Sequence, residues 1–286
     1  MSAVTAGTGQ GSVAPANPVR ERRVSVWQNK ISASVKVAGS GPPLVFLHSA
    51  GGLVWDPFLE TLAARHTVYA PEHPGLAEGD PDAISHVDNL WDLVLYYFDL
   101  LDELGLKSAP IVGHSFGAMV AAELAATNPD RVSKLVLMCP IGLWREDAPI
   151  PNWMIVTPAS DLPKYLFYDP EGPLAKAIFG APDAEAQIKM IWCMACTGKF
   201  VWPIPDKGLK KRIHRIKSPT LVLWGKQDRL VPPIYAEEFA SRIVGSRVEM
   251  LNEAGHALTA EHPRRVSALI EEFLGTAQAD SQRSGS

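Results

Sequence analysis

A serine enclosed by two glycines is the residue of this chain best placed to act as a nucleophile. The residues at 113–117 are Gly-His-Ser-Phe-Gly, between a short apolar run at 109–112 and a run at 118–127 with helical character. A strand, a sharp turn and a helix in this order hold the central hydroxyl outward on a strained backbone, and flanking glycines avoid steric collisions there. The pattern predicts that Ser115 is a nucleophile.

Two further residues have the types and positions that a serine nucleophile requires, because its hydroxyl reacts well only when a base removes the proton. His256 follows an apolar run at 248–251, and Asp228 follows another at 221–224, so each is expected on a loop just after a strand. The pattern predicts a catalytic triad in which His256 is the base and Asp228 orients its imidazole. Asp147, soon after an earlier predicted strand, is an alternative acid with a weaker sequence context.

Attack of serine on a carbonyl also creates an oxyanion, which N–H groups must stabilise. The first predicted donor is the backbone N–H of Phe116, at the start of the helix after the serine. The second is expected in the loop His-Ser-Ala-Gly-Gly at 48–52, which follows an apolar strand at 44–47 and contains glycines that permit close approach of a substrate. Ala50 is the predicted second donor, and Gly51 is the alternative.

Taken together, these motifs resemble the α/β-hydrolase superfamily over residues 24–274. The resemblance includes the serine turn, the acid within Trp-Gly-x-x-Asp at 224–228, the Gly-His pair at 255–256, the loop at 48–52 and a Pro-Gly turn at 74–75. It implies an α/β-hydrolase fold with a mostly parallel eight-stranded sheet, helices on both faces and an inserted helical cap.

Two features narrow the chemistry that this resemblance implies. Haloalkane dehalogenases and epoxide hydrolases of this fold use an aspartate where this chain has Ser115, which argues against both activities. The hydrolases of meta-cleavage products, which break carbon–carbon bonds, typically carry a tryptophan soon after the catalytic histidine, whereas Ala-Leu-Thr follows it here at 257–259. Carbon–carbon bond hydrolysis is therefore kept as an alternative to ester hydrolysis.

The elements that hold these residues follow from alternating strand-like and helix-like segments, which indicate a parallel sheet covered by helices. The first two strands alternate in polarity as antiparallel edge strands do. Predicted strands lie at 24–27, 32–37, 44–47, 67–70, 109–112, 134–138, 221–224 and 248–251, and predicted helices at 58–65, 87–104 and 118–127. The aromatic residues of the helix at 87–104 are interpreted as core packing.

Domain boundaries follow from changes in composition. Residues 1–23 are rich in Ala, Gly, Ser and Pro and are expected to be disordered. The hydrolase core is expected to comprise 24–140 and 217–276. Residues 141–216 interrupt the alternation with aromatic residues, prolines and apolar residues at helical spacing, and they are predicted to form the helical cap.

An aromatic cap would supply an apolar roof over the nucleophile and select among substrates. The alternative is that the cap aromatics form only a small core of their own. The candidate substrate contacts are Trp144, Phe167 and Trp192 in the cap and Gly51, Leu230, Val231 and Leu258 on the loops below it.

Composition excludes several functional classes. The 286 residues are 47% hydrophobic and 20% charged, with a net charge of -4, which suits a folded enzyme and gives no basic surface for nucleic acid. No apolar run approaches the ~18 residues of a membrane helix, and the first residues lack the apolar centre of a signal peptide, so a cytoplasmic location is expected. Cys193 and Cys196 have metal-binding spacing without a second ligand pair nearby, so with Cys139 they are interpreted as buried thiols.

The expected activity is two-step hydrolysis of a small to medium, partly apolar carboxylic ester by a monomer or homodimer. No metal or organic cofactor is expected, because the triad and the oxyanion donors supply the chemistry. Alternatives on the same triad are hydrolysis of carbon–carbon bonds, lactones or amides, and perhydrolysis. A different class is a ligand receptor that resembles this fold, which would show a single slow event rather than multiple turnovers.

Overall fold

The computed structural model describes residues 18–152, 158–180 and 183–283. Eight strands form one sheet in the order β1-β2-β4-β3-β5-β6-β7-β8. They are β1 (Arg20–Val26), β2 (Ile31–Ala38), β3 (Pro43–Leu47), β4 (Thr67–Pro71), β5 (Ala109–His114), β6 (Val132–Met138), β7 (Thr220–Gly225) and β8 (Arg247–Leu251). Strand β2 pairs antiparallel with β1 and β4, and the other pairs are parallel. The predicted mostly parallel, eight-stranded α/β fold is confirmed.

Helices connect the parallel strands, because such strands need a crossover that a tight turn cannot supply. The helices of the core are α1 (Pro57–Ala63), α2 (Leu90–Glu103), α3 (Phe116–Thr127), α8 (Ile234–Ala240), α9 (Leu258–Glu261) and α10 (Pro263–Arg283). Four more lie between β6 and β7 as the inserted cap: α4 (Pro158–Leu166), α5 (Pro173–Phe179), α6 (Ala184–Val201) and α7 (Leu209–Arg212). Short 3-10 turns occupy Pro81–His86, Pro129–Arg131 and Ile213–Arg215.

The strand order creates a crevice where the functional loops meet. The chain passes from β3 to β4 in one direction across the sheet and from β4 to β5 in the other. Right-handed crossovers then place α1 and α2 on opposite faces, and α1 packs against α10 while α2 packs against α3. The loops that leave β3 and β5 therefore diverge at their carboxyl ends, which is the usual site for a ligand in open α/β sheets.

Helix α3 makes this crevice rigid. Every residue from Phe116 to Ala126 is buried, which is typical of a helix enclosed on all sides by the core. The buried carboxylate of Glu123 on this helix accepts two hydrogen bonds from Arg212 on α7, at 2.9 and 2.6 Å. Since a buried charge is tolerated only when it is paired, this ion pair fixes the exit of the cap to the central helix.

Two predictions about the first part of the chain need correction. Strand β1 begins at Arg20 rather than at residue 24, so residues 20–23 are ordered and the predicted disordered segment is too long; residues 1–17 lie outside the described part of the chain. Residues 20–23 are exposed and charged, so apolar periodicity gave no sign of a strand there, although charged side chains suit an edge strand. Trp27 has a φ of 55° and belongs to the following turn.

Helix α2 is shorter than predicted because a side chain caps its first turn. The Oδ1 atom of Asn89 accepts hydrogen bonds from the N–H groups of Trp91 and Asp92, at 2.8 and 3.1 Å, so the helix begins at Leu90. Of the aromatic residues that we predicted to pack in the core, Tyr97 is fully buried, whereas Trp91 is half exposed. Core packing therefore explains only part of this aromatic cluster.

Candidate active site

The serine turn has the strained geometry that its sequence predicts. Ser115 has a φ of 55° and a ψ of -112° and immediately precedes α3. A Cβ atom at Gly113 would lie 2.5 Å from the Cα of Ala118, and one at Gly117 would lie 2.1 Å from the carbonyl oxygen of Leu47. Both glycines are therefore required by close backbone approach, and the second contact brings the serine turn against the end of β3.

The three residues predicted as a triad form one hydrogen-bonded chain. The Nε2 atom of His256 lies 2.8 Å from Oγ of Ser115, and Nδ1 lies 2.8 Å from Oδ2 of Asp228. All three side chains are buried. The other carboxylate oxygen of Asp228 accepts the N–H groups of Leu230 and Val231, at 2.9 and 2.8 Å. Because an ionised carboxylate only accepts hydrogen bonds, Nδ1 carries the proton and Nε2 is free to accept one from the serine.

The loops that carry the acid and the base are joined to each other. Gln227 and Ala254 exchange two hydrogen bonds, one through backbone atoms at 2.9 Å and one through the Gln227 side chain at 3.1 Å. The Nε2–H of His114 donates to the carbonyl oxygen of His256 at 2.8 Å. Burial lowers the pKa of His114 to about 4, so this ring is neutral at physiological pH and adds no charge beside His256.

Cys139 lies beside the triad at the end of β6. Its Sγ, a carboxylate oxygen of Asp228 and a ring nitrogen of His256 lie within 4.8 Å of one another, the one such group of three potential metal ligands in the described residues. Burial and the charge of Asp228 raise the pKa of the Cys139 thiol, which keeps it protonated. Since the carboxylate and the imidazole bind each other, we interpret the group as part of the triad environment rather than as a metal site.

The alternative acid lies on the surface at the entrance of the cap. The side chain of Asp147 is 68% exposed, and its two oxygens accept hydrogen bonds from Arg145 at 3.0 and 2.7 Å. These bonds lower the pKa of Asp147. Arg145 also binds Glu238 at 3.0 Å, so Asp147 belongs to a surface ion-pair cluster rather than to the histidine loop.

The loop after β3 forms a tight turn beside the serine. The N–H of Gly52 donates to the carbonyl oxygen of Ser49 at 3.3 Å, which places Ala50 and Gly51 at the centre of the turn. Ala50 is half-buried and Gly51 is exposed. Phe116 is the first residue of α3, so its N–H has no acceptor within the helix. Both predicted oxyanion donors therefore flank the crevice, on segments that the contact between Gly117 and β3 brings together.

A sequence profile of the alpha/beta hydrolase family matches residues 44–269, which include the serine turn, the acid and the base. The chain belongs to the alpha/beta hydrolase family. This match confirms the resemblance inferred from the motifs. In the described residues of this hydrolase, no helix is both long enough and apolar enough to cross a bilayer.

Several known proteins are similar to the hydrolase over most of its length. It is 26% identical over 273 residues to monoacylglycerol lipase abhd6-B of Xenopus laevis, covering 84% of this chain and 77% of the relative. It is 30% identical over 270 residues to 2-hydroxy-6-oxononadienedioate/2-hydroxy-6-oxononatrienedioate hydrolase 2 of Pseudomonas putida, covering 84% and 86%. The solved structure of carboxylesterase CesB (YbfK) from Bacillus subtilis superposes with a TM-score of 0.73 at 18% identity, covering 91% and 92%. The last similarity shows a shared fold.

Sequence reasoning missed a buried histidine beside the loop at 48–52 of the hydrolase. His73 follows β4 and is fully buried between His48 and Tyr97. The signal was available, because a His-Pro-Gly turn at 73–75 follows a strand that neighbours β3. Adjacent parallel strands bring the loops at their carboxyl ends together, so this histidine had to lie near the loop at 48–52.

Sequence reasoning also missed a junction between the cap and the base loop. The carboxylate of Glu261 accepts the N–H of Gly255 at 2.7 Å and that of Tyr168 at 2.6 Å. The N–H of Ala257 donates to the carbonyl oxygen of Leu166 at 2.9 Å. Both neighbours of His256 in the sequence are therefore tied to the cap. Ala257 binds the last residue of α4 directly, and Gly255 binds the Glu261 carboxylate, which in turn binds Tyr168.

The same cap segment is bound to the acid loop. The Nη1 atom of Arg229, the residue after Asp228, donates to the carbonyl oxygen of Phe167 at 3.0 Å. We call residues 166–168 the cap latch, because they bind the loop of the acid and the loop of the base at once. The latch joins the cap to the loops that carry Asp228 and His256.

Helix α6 covers the opposite side of the crevice. A Cβ atom at Gly52, in the oxyanion loop, would lie 3.2 Å from Sγ of Cys193. The ring of Phe200 stacks on that of Phe116, with centroids 6.0 Å apart. Cys193 is buried here and unpaired by disulfide, as are Cys139 and Cys196. The cap therefore touches both segments that carry the predicted oxyanion donors.

The predicted cap contacts have different environments. Phe167 is 2% exposed and packs edge-on against Phe179, with centroids 5.9 Å apart, inside the cap. Trp192 on α6 is 43% exposed, and its Nε1–H donates to the carbonyl oxygen of Gly75 at 2.7 Å. Trp144 lines a small apolar cavity of about 70 Å³ near the cap entrance. Of the three, Trp192 combines exposure with a position beside the loops of the crevice.

The predicted contacts below the cap are mostly core residues. Leu230, Val231 and Leu258 are buried, and the last two are completely inaccessible. Val231 also accepts the indole N–H of Trp224 through its carbonyl oxygen at 3.0 Å. Gly51 is exposed. Substrate contact by these four residues stays a prediction, and their burial favours Gly51 over the other three.

Proposed function

We propose that this hydrolase cleaves small to medium carboxylic esters with an apolar portion, through a covalent acyl-enzyme on Ser115. The observation that carries the proposal is the continuous chain from Ser115 Oγ through His256 to Asp228, with both links at 2.8 Å. A neutral imidazole between a hydroxyl and a buried carboxylate is the arrangement that activates serine for attack on a carbonyl.

The proposed reaction has two halves. As Ser115 Oγ attacks the ester carbonyl, Nε2 of His256 takes its proton, and Asp228 stabilises the imidazolium that forms. The N–H groups of Phe116 and Ala50 hold the oxyanion of the tetrahedral intermediate. Collapse of the intermediate breaks the bond to the alcohol, which leaves with the proton from His256. Water then repeats the sequence, and the carboxylic acid leaves with Ser115 restored.

Two observations support an ester rather than a dicarboxylate as substrate. A relative with 26% identity is named as a lipase, a class of enzyme that cleaves esters. The relative with 30% identity is named for a dioate, a dianion that cationic side chains would have to recognise. Arg229, the arginine next to Asp228, directs Nη1 to the carbonyl oxygens of the cap latch. This nitrogen is therefore bound to the cap and is not directed at a substrate carboxylate. The same relative nevertheless makes carbon–carbon bond hydrolysis the second candidate.

The test is a panel of p-nitrophenyl esters of increasing acyl length, run beside a 2-hydroxy-6-oxo-dienoate with one carboxylate and its dioate analogue. We expect multiple turnovers on the esters, with a preferred acyl length, and far slower cleavage of both dienoates. Faster cleavage of a dienoate would establish the carbon–carbon reaction. A single turnover on every compound would contradict both and favour a receptor.

Trp192→Ala is expected to shift the preferred acyl length more than it lowers activity on the acetyl ester. Removing the ring withdraws about 1–3 kcal/mol of apolar contact from an acyl group that reaches it and nothing from one that does not. Phe167→Ala is the matched variant inside the cap, and it should cost about 3–5 kcal/mol of stability. The measurements are kcat/KM against acyl length and thermal unfolding. Equal losses of the Trp192 variant on all lengths would exclude substrate contact.

A further inference from the structure

The second oxyanion donor belongs to a peptide whose orientation is fixed from the opposite side. The carbonyl oxygen of Ser49 accepts the Nδ1–H of His48 at 2.7 Å and the N–H of Gly52 at 3.3 Å. In a trans peptide the carbonyl and the following N–H point in opposite directions. The two bonds on Ser49 therefore determine where the N–H of Ala50 points.

The backbone N–H of His73 determines which ring nitrogen of His48 carries the hydrogen. The backbone N–H of His73 donates to Nε2 of His48 at 3.1 Å, so Nε2 must be the unprotonated nitrogen and Nδ1 must carry the hydrogen. Burial lowers the pKa of His48 well below its usual value, which keeps this tautomer neutral. The opposite tautomer would place two donors against each other at Nε2 and leave Ser49 without its bond from the ring.

The ring of His73 is itself held in one tautomer and one orientation. Its Nε2–H donates to the carbonyl oxygen of His48 at 2.9 Å, and its Nδ1 accepts the hydroxyl hydrogen of Tyr97. Burial lowers the pKa of His73 to about 4. The same ring packs edge-on against Phe116, with centroids 4.9 Å apart. One side chain therefore contacts both segments that carry the predicted oxyanion donors.

We propose that His73 is a positioning residue for the oxyanion hole: it orients the N–H of Ala50 through His48 and supports the N–H of Phe116 through ring packing. The inference rests on the proposed serine mechanism and adds to it a residue that touches neither the substrate nor the triad. Its effect falls on the formation and breakdown of the tetrahedral intermediate, because the negative charge on the oxygen develops there and not in the bound ester.

His73→Phe keeps a ring against Phe116 and removes the ring hydrogen bonds to His48 and Tyr97. Loss of one oxyanion donor costs about 10²–10³ in kcat, and a misoriented donor should cost less, so we expect kcat to fall by about 10- to 100-fold with KM within twofold. The rate at which a fluorophosphonate labels Ser115, followed by intact mass, should fall in parallel. This second readout needs no knowledge of the natural substrate.

Tyr97→Phe is the milder variant, for use if the first does not fold. It removes the one hydroxyl that fixes Nδ1 of His73 and leaves the other contacts of the ring in place, so we expect kcat to fall by about 2- to 10-fold, less than in His73→Phe. Tyr96→Phe is the matched control, because the Tyr96 hydroxyl is buried one position away and has no hydrogen-bond partner among the residues that the structure describes. This control should keep its kcat.

Long-range nitrogen NMR spectra supply a readout that a merely structural role would not move. In the wild type, His48 should be protonated at Nδ1 and His73 at Nε2. In Tyr97→Phe, His73 should stay protonated at Nε2, because the carbonyl oxygen of His48 still accepts that hydrogen, while the Nδ1 signal should shift with the loss of its hydrogen bond and the melting temperature should change little. Unchanged kcat and labelling rate in folded His73→Phe would overturn the inference. Ester turnover or labelling that persists in Ser115→Ala would instead overturn the serine mechanism on which it rests.

Discussion

Ser115→Ala should fold normally and lose about 10⁴-fold or more in kcat/KM on the preferred ester, because only the oxyanion donors and substrate binding remain to assist water. His256→Ala should lose a similar amount. The double variant should be little worse than either single one, since the serine and its base act as one unit. The measurements are steady-state kinetics and circular dichroism.

The control for this series is a measurement showing that each variant remains folded. Ser115 makes one side-chain hydrogen bond, to His256, so its loss should cost no more than about 1–3 kcal/mol of stability and the variant should remain folded. A folded Ser115→Ala variant that keeps a tenth of the wild-type turnover would refute nucleophilic catalysis by this residue.

Asp228→Asn should lower kcat by about 10⁴-fold. An asparagine can still accept the N–H groups of Leu230 and Val231 through its remaining oxygen, so the loop should persist. Its amide N–H₂ would then face Nδ1 of His256, which must become an acceptor, and the proton would move to Nε2. A ring protonated at Nε2 cannot accept the proton of the serine.

Asp147→Asn is the matched control for this substitution. Its carboxylate is largely exposed and pairs with Arg145, and exposed ion pairs contribute about 0–1 kcal/mol to stability. We expect kcat within twofold of the wild type. A larger loss in Asp147→Asn than in Asp228→Asn would assign the acid to the loop after β6, against the geometry.

The strands, and the neighbouring positions of Ser115, Asp228 and His256, could be predicted because their signals are local. Short apolar runs such as 221–224 and 248–251 predicted strands within two residues of the observed ends. Each functional residue follows its strand directly, and the carboxyl ends of parallel strands meet at one edge of the sheet. Chain order and turn residues were therefore enough to predict that Asp228 and His256 lie in the same crevice.

The residues that sequence reasoning missed act through contacts between distant segments. The role that we propose for His73 depends on two contacts that form only in the folded chain. Strand β4 lies beside β3, and the His73 ring binds Tyr97 on α2. Glu261 looks like any helix carboxylate until α4 lies against the histidine loop. No periodicity records such pairings, because they depend on which side chains face each other after folding.

The misplaced start of β1 has a different physical cause. An edge strand is held by backbone hydrogen bonds along one side, and its side chains can all be charged without loss of those bonds. Apolar alternation is a sign of burial rather than of strand conformation, so the exposed residues 20–23 could not be recognised from it.

Because of the cap latch, we expect substrate size to affect the rate of the reaction rather than the affinity for the substrate. Residues 166–168 cannot move without breaking hydrogen bonds to Glu261, Ala257 and Arg229, which join the cap to the loops of His256 and Asp228. We expect an acyl group wide enough to displace this segment still to bind, but with the imidazole of His256 out of line with Ser115. Oversized substrates should then occupy the enzyme as slow inhibitors, so that discrimination shows in kcat while affinity stays high.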